Sequence, residues 1–158
     1  MTQSEKIFFL KIYAEDGVFY EGECRELIIP CVDGEKAFLP GHEDVVYALY
    51  NGLLRFQVPA KPENTEDRSM NAFTNAKPVW IEAVVGKGVA CFLDNECTVL
   101  AEAVERPDEI DEKRAKAAYE RAQEMMQKEL SMREYRISQM AMARATARIR
   151  ALARKERE

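Results

Sequence analysis

Histidine occurs once in 158 residues, glycine seven times and proline six times, and each scarcity excludes something. His42 has no second acid–base or nucleophilic group at a suggestive spacing, so no catalytic residue is expected. Beside Leu39-Pro40-Gly41 it reads as a structural or contact residue. The four cysteines, Cys24, Cys31, Cys91 and Cys97, lack metal-ligand spacing, and three sit in apolar runs. Reduced thiols in a cytoplasmic protein are expected, and no metal. No apolar run approaches the ~20 residues that span a bilayer. The opening Met1-Thr2-Gln3-Ser4-Glu5-Lys6 lacks the basic and long apolar regions of a signal peptide. Any work at a membrane is therefore expected to pass through other proteins.

What is present is a globular composition, 47% hydrophobic, in a length suited to one domain or a small domain with an appendage. Charge is unevenly placed. From Ser131 onward stand Arg133, Arg136, Arg144, Arg148, Arg150, Arg154, Lys155 and Arg157, against Glu134, Glu156 and Glu158. That segment carries +5 in a chain of net −5, which leaves −10 on the first 130 residues. Such asymmetry points to a partner or a switch. Nucleic acid is not expected, because the rest of the chain is acidic and has no basic patch lined with aromatic residues.

Residues 6 to about 104 read as short strands separated by turns. The expected strands are Lys6–Tyr13, Val18–Tyr20, Arg25–Ile29, Ala37–Leu39, Leu53–Val58, Val79–Val85, Gly88–Leu93 and Cys97–Val104, with a tight turn at Asp94-Asn95-Glu96. Many short strands at this spacing predict a sandwich or barrel. Pro59–Pro78, with three prolines and few apolar residues, reads as an inserted surface loop.

The pattern changes at Arg106-Pro107. No Gly or Pro interrupts Asp111–Leu130, and Ala115, Ala118, Tyr119, Ala122, Met125 and Met126 share one helical face. Ser131-Met132-Arg133-Glu134 is a capping-box pattern that starts a second helix, with Ile137, Met140, Ala141, Ala145, Ile149 and Leu152 as its matching face. The fold class is therefore α+β: an N-terminal antiparallel β-sandwich, residues 1–105, followed by a C-terminal antiparallel two-helix hairpin, residues 106–158.

A hairpin pivoting at Ser131 sets Arg114 opposite Arg148, with Arg144 one turn, ~6 Å, from Arg148. Three guanidinium groups then gather near the open end, close to Glu105 and Asp111. Such a cluster invites a polyphosphate, since Arg grips phosphate oxygens bidentately. The same residues also suit surface ion pairs with Glu105, Asp111 and Glu112.

Several segments occur together in a familiar order. They are Val18-Phe19-Tyr20-Glu21-Gly22, then Asp33-Gly34-Glu35-Lys36-Ala37-Phe38-Leu39-Pro40-Gly41-His42, then Thr98-Val99-Leu100-Ala101-Glu102-Ala103, then Ile110-Asp111-Glu112-Lys113-Arg114-Ala115. On these, roughly residues 6 to 154 resemble the epsilon-subunit family of F-type ATP synthases. The last segment is similar to the family's Ile-Asp-x-x-Arg-Ala nucleotide motif. Three features depart from the family pattern: the long loop Pro59–Pro78, Gly86-Lys87-Gly88-Val89 where Ser-Gly-Gly-Phe is usual, and Lys36 where a glycine is usual.

The resemblance implies a non-catalytic rotor subunit on the cytoplasmic face of the cell membrane. Its partners would be the gamma subunit, the c-subunit ring and acidic segments of the beta subunits. The loop Asp33–His42, with Glu35 and His42, would face the c ring. The resemblance also implies a regulatory ATP held by Glu105, Asp111, Arg114, Arg144 and Arg148. No cofactor is required, and the lack of a Gly-rich phosphate loop predicts binding without hydrolysis. The expected mechanism is a mobile, ATP-sensing hairpin that inhibits ATP hydrolysis when opened. The alternative is a purely structural stalk subunit without ATP sensing.

Overall fold

The computed structural model describes residues 6–59 and 77–157. Residues 60–76 of the expected surface loop lie outside the described residues. Ten strands precede two helices: β1 (Phe8–Ala14), β2 (Gly17–Cys24), β3 (Glu26–Cys31), β4 (Gly34–Phe38), β5 (Val45–Leu49), β6 (Gly52–Val58), β7 (Val79–Val85), β8 (Gly88–Leu93), β9 (Glu96–Ala101) and β10 (Val104–Glu105), then α1 (Glu112–Met126) and α2 (Met132–Lys155).

The strands form two five-stranded sheets, ordered β2-β1-β9-β8-β5 and β10-β7-β6-β3-β4. Pairing is antiparallel throughout, save that β1 runs parallel to β9. Period-two alternation places Phe8, Leu10 and Ile12 inside, with Cys97 and Val99 beside them and Leu27, Ile29, Leu54 and Phe56 facing them from the second sheet. Aromatic rings close the core: Phe38 stacks on Phe92 at 5.5 Å, and Phe8 meets Phe92 edge-on at 5.4 Å.

Local chemistry explains the connections. Asp94 and Asn95 take φ of 48° and 58°, the left-handed pair that a two-residue hairpin between β8 and β9 requires. The Asn95 side chain then accepts from Gly41 N–H at 2.8 Å and donates to the Ile7 carbonyl at 2.9 Å. It thereby ties the Pro40-Gly41 turn to the start of β1. At Gly88 a Cβ would lie 2.0 Å from the Leu100 carbonyl oxygen, so the close approach of the paired β8 and β9 at this end admits only glycine there.

Two expectations are corrected. Val45–Leu49 is a full strand, β5, pairing with β8, although it was not among the expected segments. The expected strand Cys97–Val104 breaks at Glu102-Ala103: β9 belongs to one sheet and β10 pairs with β7 in the other. That switch of sheets carries the chain to the face where the helices lie.

The hairpin starts as its caps dictate. Asp111 Oδ1 accepts from Arg114 N–H at 3.0 Å, so Asp111 is the cap of α1. Ser131 caps α2, its Oγ accepting from Glu134 N–H while Glu134 Oε2 accepts from Ser131 N–H at 3.0 Å. Ala115 and Ala122 of α1, and Ser138 and Ala145 of α2, are buried. Their seven-residue spacing is two helical turns, a seam between close antiparallel helices. Ile137 is instead 52% exposed, and Ser138 holds the buried place expected for it. The α2 seam is one residue out of phase with the expected stripe at that end.

Candidate functional site

The second sheet has an outer face that is partly apolar. Leu53 of β6 and Val84 of β7 are cross-strand partners there. They pack with Ile110, Ala147 and Ala151 into a second, smaller core. Ile110, the first residue of the Ile110–Ala115 motif, thus docks the linker, Asp111 caps α1, and Ala115 lets α2 approach. The short 3₁₀ turn Pro107–Glu109 is fixed by Glu109 Oε2, which accepts from Arg106 N–H at 3.0 Å. The Arg106 guanidinium lies 5.2 Å from the Phe19 ring centroid.

Alternation also settles Glu105. In β10, Val104 packs against the main core, so Glu105 points to the helix side. Arg148 Nε donates to Glu105 Oε2 at 2.7 Å and its Nη2 to Oε1 at 2.5 Å. This is a fork-on-fork ion pair, each side chain roughly a third exposed (28% and 30%). Its hydrogen bonds hold the Arg148 pKa above the ordinary arginine value, against a smaller opposing effect of burial. A second tie joins Arg154 Nη1 to Glu82 Oε1 of β7 at 2.6 Å.

The five residues expected to hold a nucleotide are therefore in different states. Glu105 and Arg148 engage each other. Asp111 spends one carboxylate oxygen on the helix cap. Among the described residues, the Arg114 and Arg144 guanidinium groups make no hydrogen bond or ion pair, and Arg144 Nε is shut off from solvent without a partner. Glu112 pairs with Lys116 at 2.6 Å, not with an arginine of α2. The connection between α1 and α2 is centred near residue 129, two residues before the expected pivot.

The two residues expected at a c-ring contact have separate partners. Glu35 Oε2 accepts from Arg55 Nη2 at 3.0 Å. His42 is half-buried, its ring centroid 5.0 Å from that of Phe38 and 5.4 Å from that of Phe92, with Nδ1 2.7 Å from the Glu43 carbonyl oxygen. Lys36, in the place of the usual glycine, pairs with Asp33 at 2.9 Å.

Sequence reasoning missed the docking contacts Ile110, Val84 and Ala151, and the Arg154–Glu82 tie. The available signal was the row Ala147, Ala151, Arg154 at helical spacing, a second face of α2 distinct from the one turned to α1. Among the described residues no helix is long and apolar enough to cross a membrane, and no cluster of His, Cys, Asp and Glu suits a metal ion.

Residues 7–107 match the family described as ATP synthase, Delta/Epsilon chain, beta-sandwich domain, and residues 108–153 match its long alpha-helix domain. The ATP synthase epsilon chain of Ruminiclostridium cellulolyticum is 38% identical over 148 residues, covering 94% of this chain and 97% of that protein. The ATP synthase epsilon chain of Syntrophomonas wolfei is 31% identical over 148 residues, with 94% and 96% covered. A chain in the Euglena gracilis mitochondrial ATP synthase, solved as OSCP/F1/c-ring, superimposes with a TM-score of 0.70 at 19% identity, covering 93% of this chain and 82% of that one.

Proposed function

Since the chain belongs to the ATP synthase delta/epsilon chain family, we propose that it is a non-catalytic central-stalk subunit whose helical hairpin senses ATP and restrains ATP hydrolysis. The sandwich is the anchor. Its first sheet turns Phe9, Val46, Val89, Leu93 and Leu100 outward, an apolar face suited to the gamma subunit. The end of the sandwich carrying Asp33–His42 meets the c ring, which places the protein peripherally at the cytoplasmic face of the membrane.

The observation that carries ATP sensing is the Arg144 guanidinium, with its Nε sealed from water and unpartnered. A buried donor without an acceptor is costly, and a phosphate oxygen would satisfy it. Arg114 on the facing helix and Arg148 one turn along α2 complete a three-arginine cradle, with Glu105 and the second oxygen of Asp111 at its rim. These residues fit a polyphosphate. Bound ATP supplies the negative charge, and the chain's own residues supply the grip. Ligand held between α1 and α2 favours the folded hairpin over any form that separates them.

Released, α2 is 24 residues long, about 36 Å, and its basic surface suits the acidic segments of the beta subunits. The exposed Met125, Met132, Tyr135 and Ile137 at the far end of the hairpin give the opened form apolar surface to bury. Deleting residues 106–158 should leave assembly and proton coupling in place and raise ATP hydrolysis. A truncated complex that cannot assemble refutes this division of labour.

A second reading rests on a specific observation. Glu105 already occupies Arg148, and Asp111 already serves as a cap, so the hairpin is held without a nucleotide. On that reading it is a fixed structural part of the stalk. Calorimetry of ATP binding to the isolated chain, and to Arg144→Ala, separates the two: affinity lost in the variant supports sensing, and no binding by either chain supports the structural part.

A further inference from the structure

A groove of about 480 Å³ runs between the C-terminal turns of α2 and the outer face of β3, β4 and β6. Arg55, Arg150, Arg154 and Arg157 line it, together with Glu35 and Asn51. Positions 150, 154 and 157 fall on one helical stripe. Position 150 lies ~200° around the helix from 148, so this stripe is not the one that faces Glu105. Two carboxylates answer the four arginines. Glu35 takes Nη2 of Arg55, and Glu82 takes Nη1 of Arg154. Among the described residues Arg150 and Arg157 have no ion-pair partner, and Arg55 Nε is shut off from solvent without an acceptor. Asn51, 6% exposed, adds a neutral polar group to the lining.

Two excess positive charges in one groove repel unless an anion enters. Guanidinium groups approaching from both walls match the tetrahedral oxygens of phosphate, which accept two donors from each fork. We infer that this groove is a second anion site, distinct from the Arg114–Arg144–Arg148 cradle, and that it takes a polyphosphate. One wall is sandwich and the other is α2, so the site exists only while the hairpin is docked. Its ligand therefore stabilises the docked form by mass action, independently of the cradle. The inference does not rest on ATP sensing, and stands if the hairpin proves to be structural.

The test is calorimetry on the full chain with sodium pyrophosphate at fixed ionic strength. Saturable binding is expected, retained in Arg114→Gln/Arg144→Gln and weakened roughly tenfold or more when Arg150→Gln/Arg157→Gln is added to that variant. Arg55→Gln, altered on the sandwich wall, should weaken it as well, and circular dichroism of each variant checks that the hairpin is intact. Titrating ATP into Arg114→Gln/Arg144→Gln then separates the sources. Binding of both ligands means that nucleotide phosphates enter the groove, and binding of pyrophosphate alone means that free polyphosphate does. The inference fails if the full chain does not bind pyrophosphate, if adding Arg150→Gln/Arg157→Gln to Arg114→Gln/Arg144→Gln leaves binding unchanged, or if Arg114→Gln/Arg144→Gln alone abolishes it.

Discussion

Arg148 and Glu105 are joined by two hydrogen bonds across 43 positions of sequence, and the pair closes α2 onto the last strand of the sandwich. The bond is polar and partly exposed, and its strength adds to the apolar contacts that hold α2 on the sandwich.

Glu105→Gln tests that strength. It keeps the shape and removes the charge that faces Arg148. With about 30% of each side chain exposed, the loss is expected to be about 1–2 kcal/mol, below that of a fully buried pair. Urea unfolding of Glu105→Gln, Arg148→Gln and the double variant should give a coupling free energy of that order. Additive single effects would mean that the pair is incidental.

The α2 cap should respond to pH. Hydrogen bonds from the Ser131 hydroxyl and N–H hold the Glu134 pKa below its ordinary 4.5. A depressed carboxylate pKa contributes stability that is complete above the unfolded value and is lost as pH falls through the folded one. Hairpin helicity should therefore drop on acidification below about pH 4.5. In Ser131→Ala the acid step should flatten, and at neutral pH the variant should lose about 1 kcal/mol. An unchanged acid profile in circular dichroism would refute the role of this cap.

Ala115→Leu places extra volume in the seam between α1 and α2, where Ala115 is 1% exposed. Overpacking there should cost about 1–3 kcal/mol. The damage should be confined to the hairpin: far-UV helicity falls while the near-UV signal of the sandwich aromatics persists. Loss of both signals together would show that hairpin and sandwich unfold as one unit.

Cysteine reactivity should divide by depth. Burial pushes the thiols of Cys24 and Cys97 up to about 12, so neither is nucleophilic near neutral pH. Cys31 and Cys91 are half-buried, although burial also raises Cys31. A thiol-exchange reagent should modify Cys91 and Cys31 in the native chain, and reach Cys24 and Cys97 only on unfolding. Rapid modification of Cys24 would place its strand outside the core.

How much of this was legible in the sequence follows the range of the interaction. Asp94-Asn95 and Ser131-Glu134 were readable because a turn or a cap is decided within four residues. The sandwich was readable from alternation. β5 was not, because Val45-Val46-Tyr47-Ala48-Leu49 is apolar at nearly every position and shows no two-residue period. The break between β9 and β10 depends on which sheet receives each half, a long-range choice. That Arg144 and Arg148 lie one turn apart on α2 was readable by helical spacing. That Arg148 would be engaged by Glu105 while Arg144 is left unpaired depends on where α2 docks, which Leu53 and Val84 decide from the far side of the chain. Ile137 and Ser138 are adjacent, and only the crossing of two helices chooses between them.

The parallel pairing of β1 with β9 carries a consequence for synthesis. A strand near the start of the chain lies between β2 and a partner that begins at Glu96. On the ribosome the β1–β2 hairpin therefore waits with one edge open until β9 has emerged, and such non-local closure is slow. Once β9 inserts, the sandwich can close before α2 has been translated. The helices that dock on the outer face thus emerge after β9, onto a support already finished.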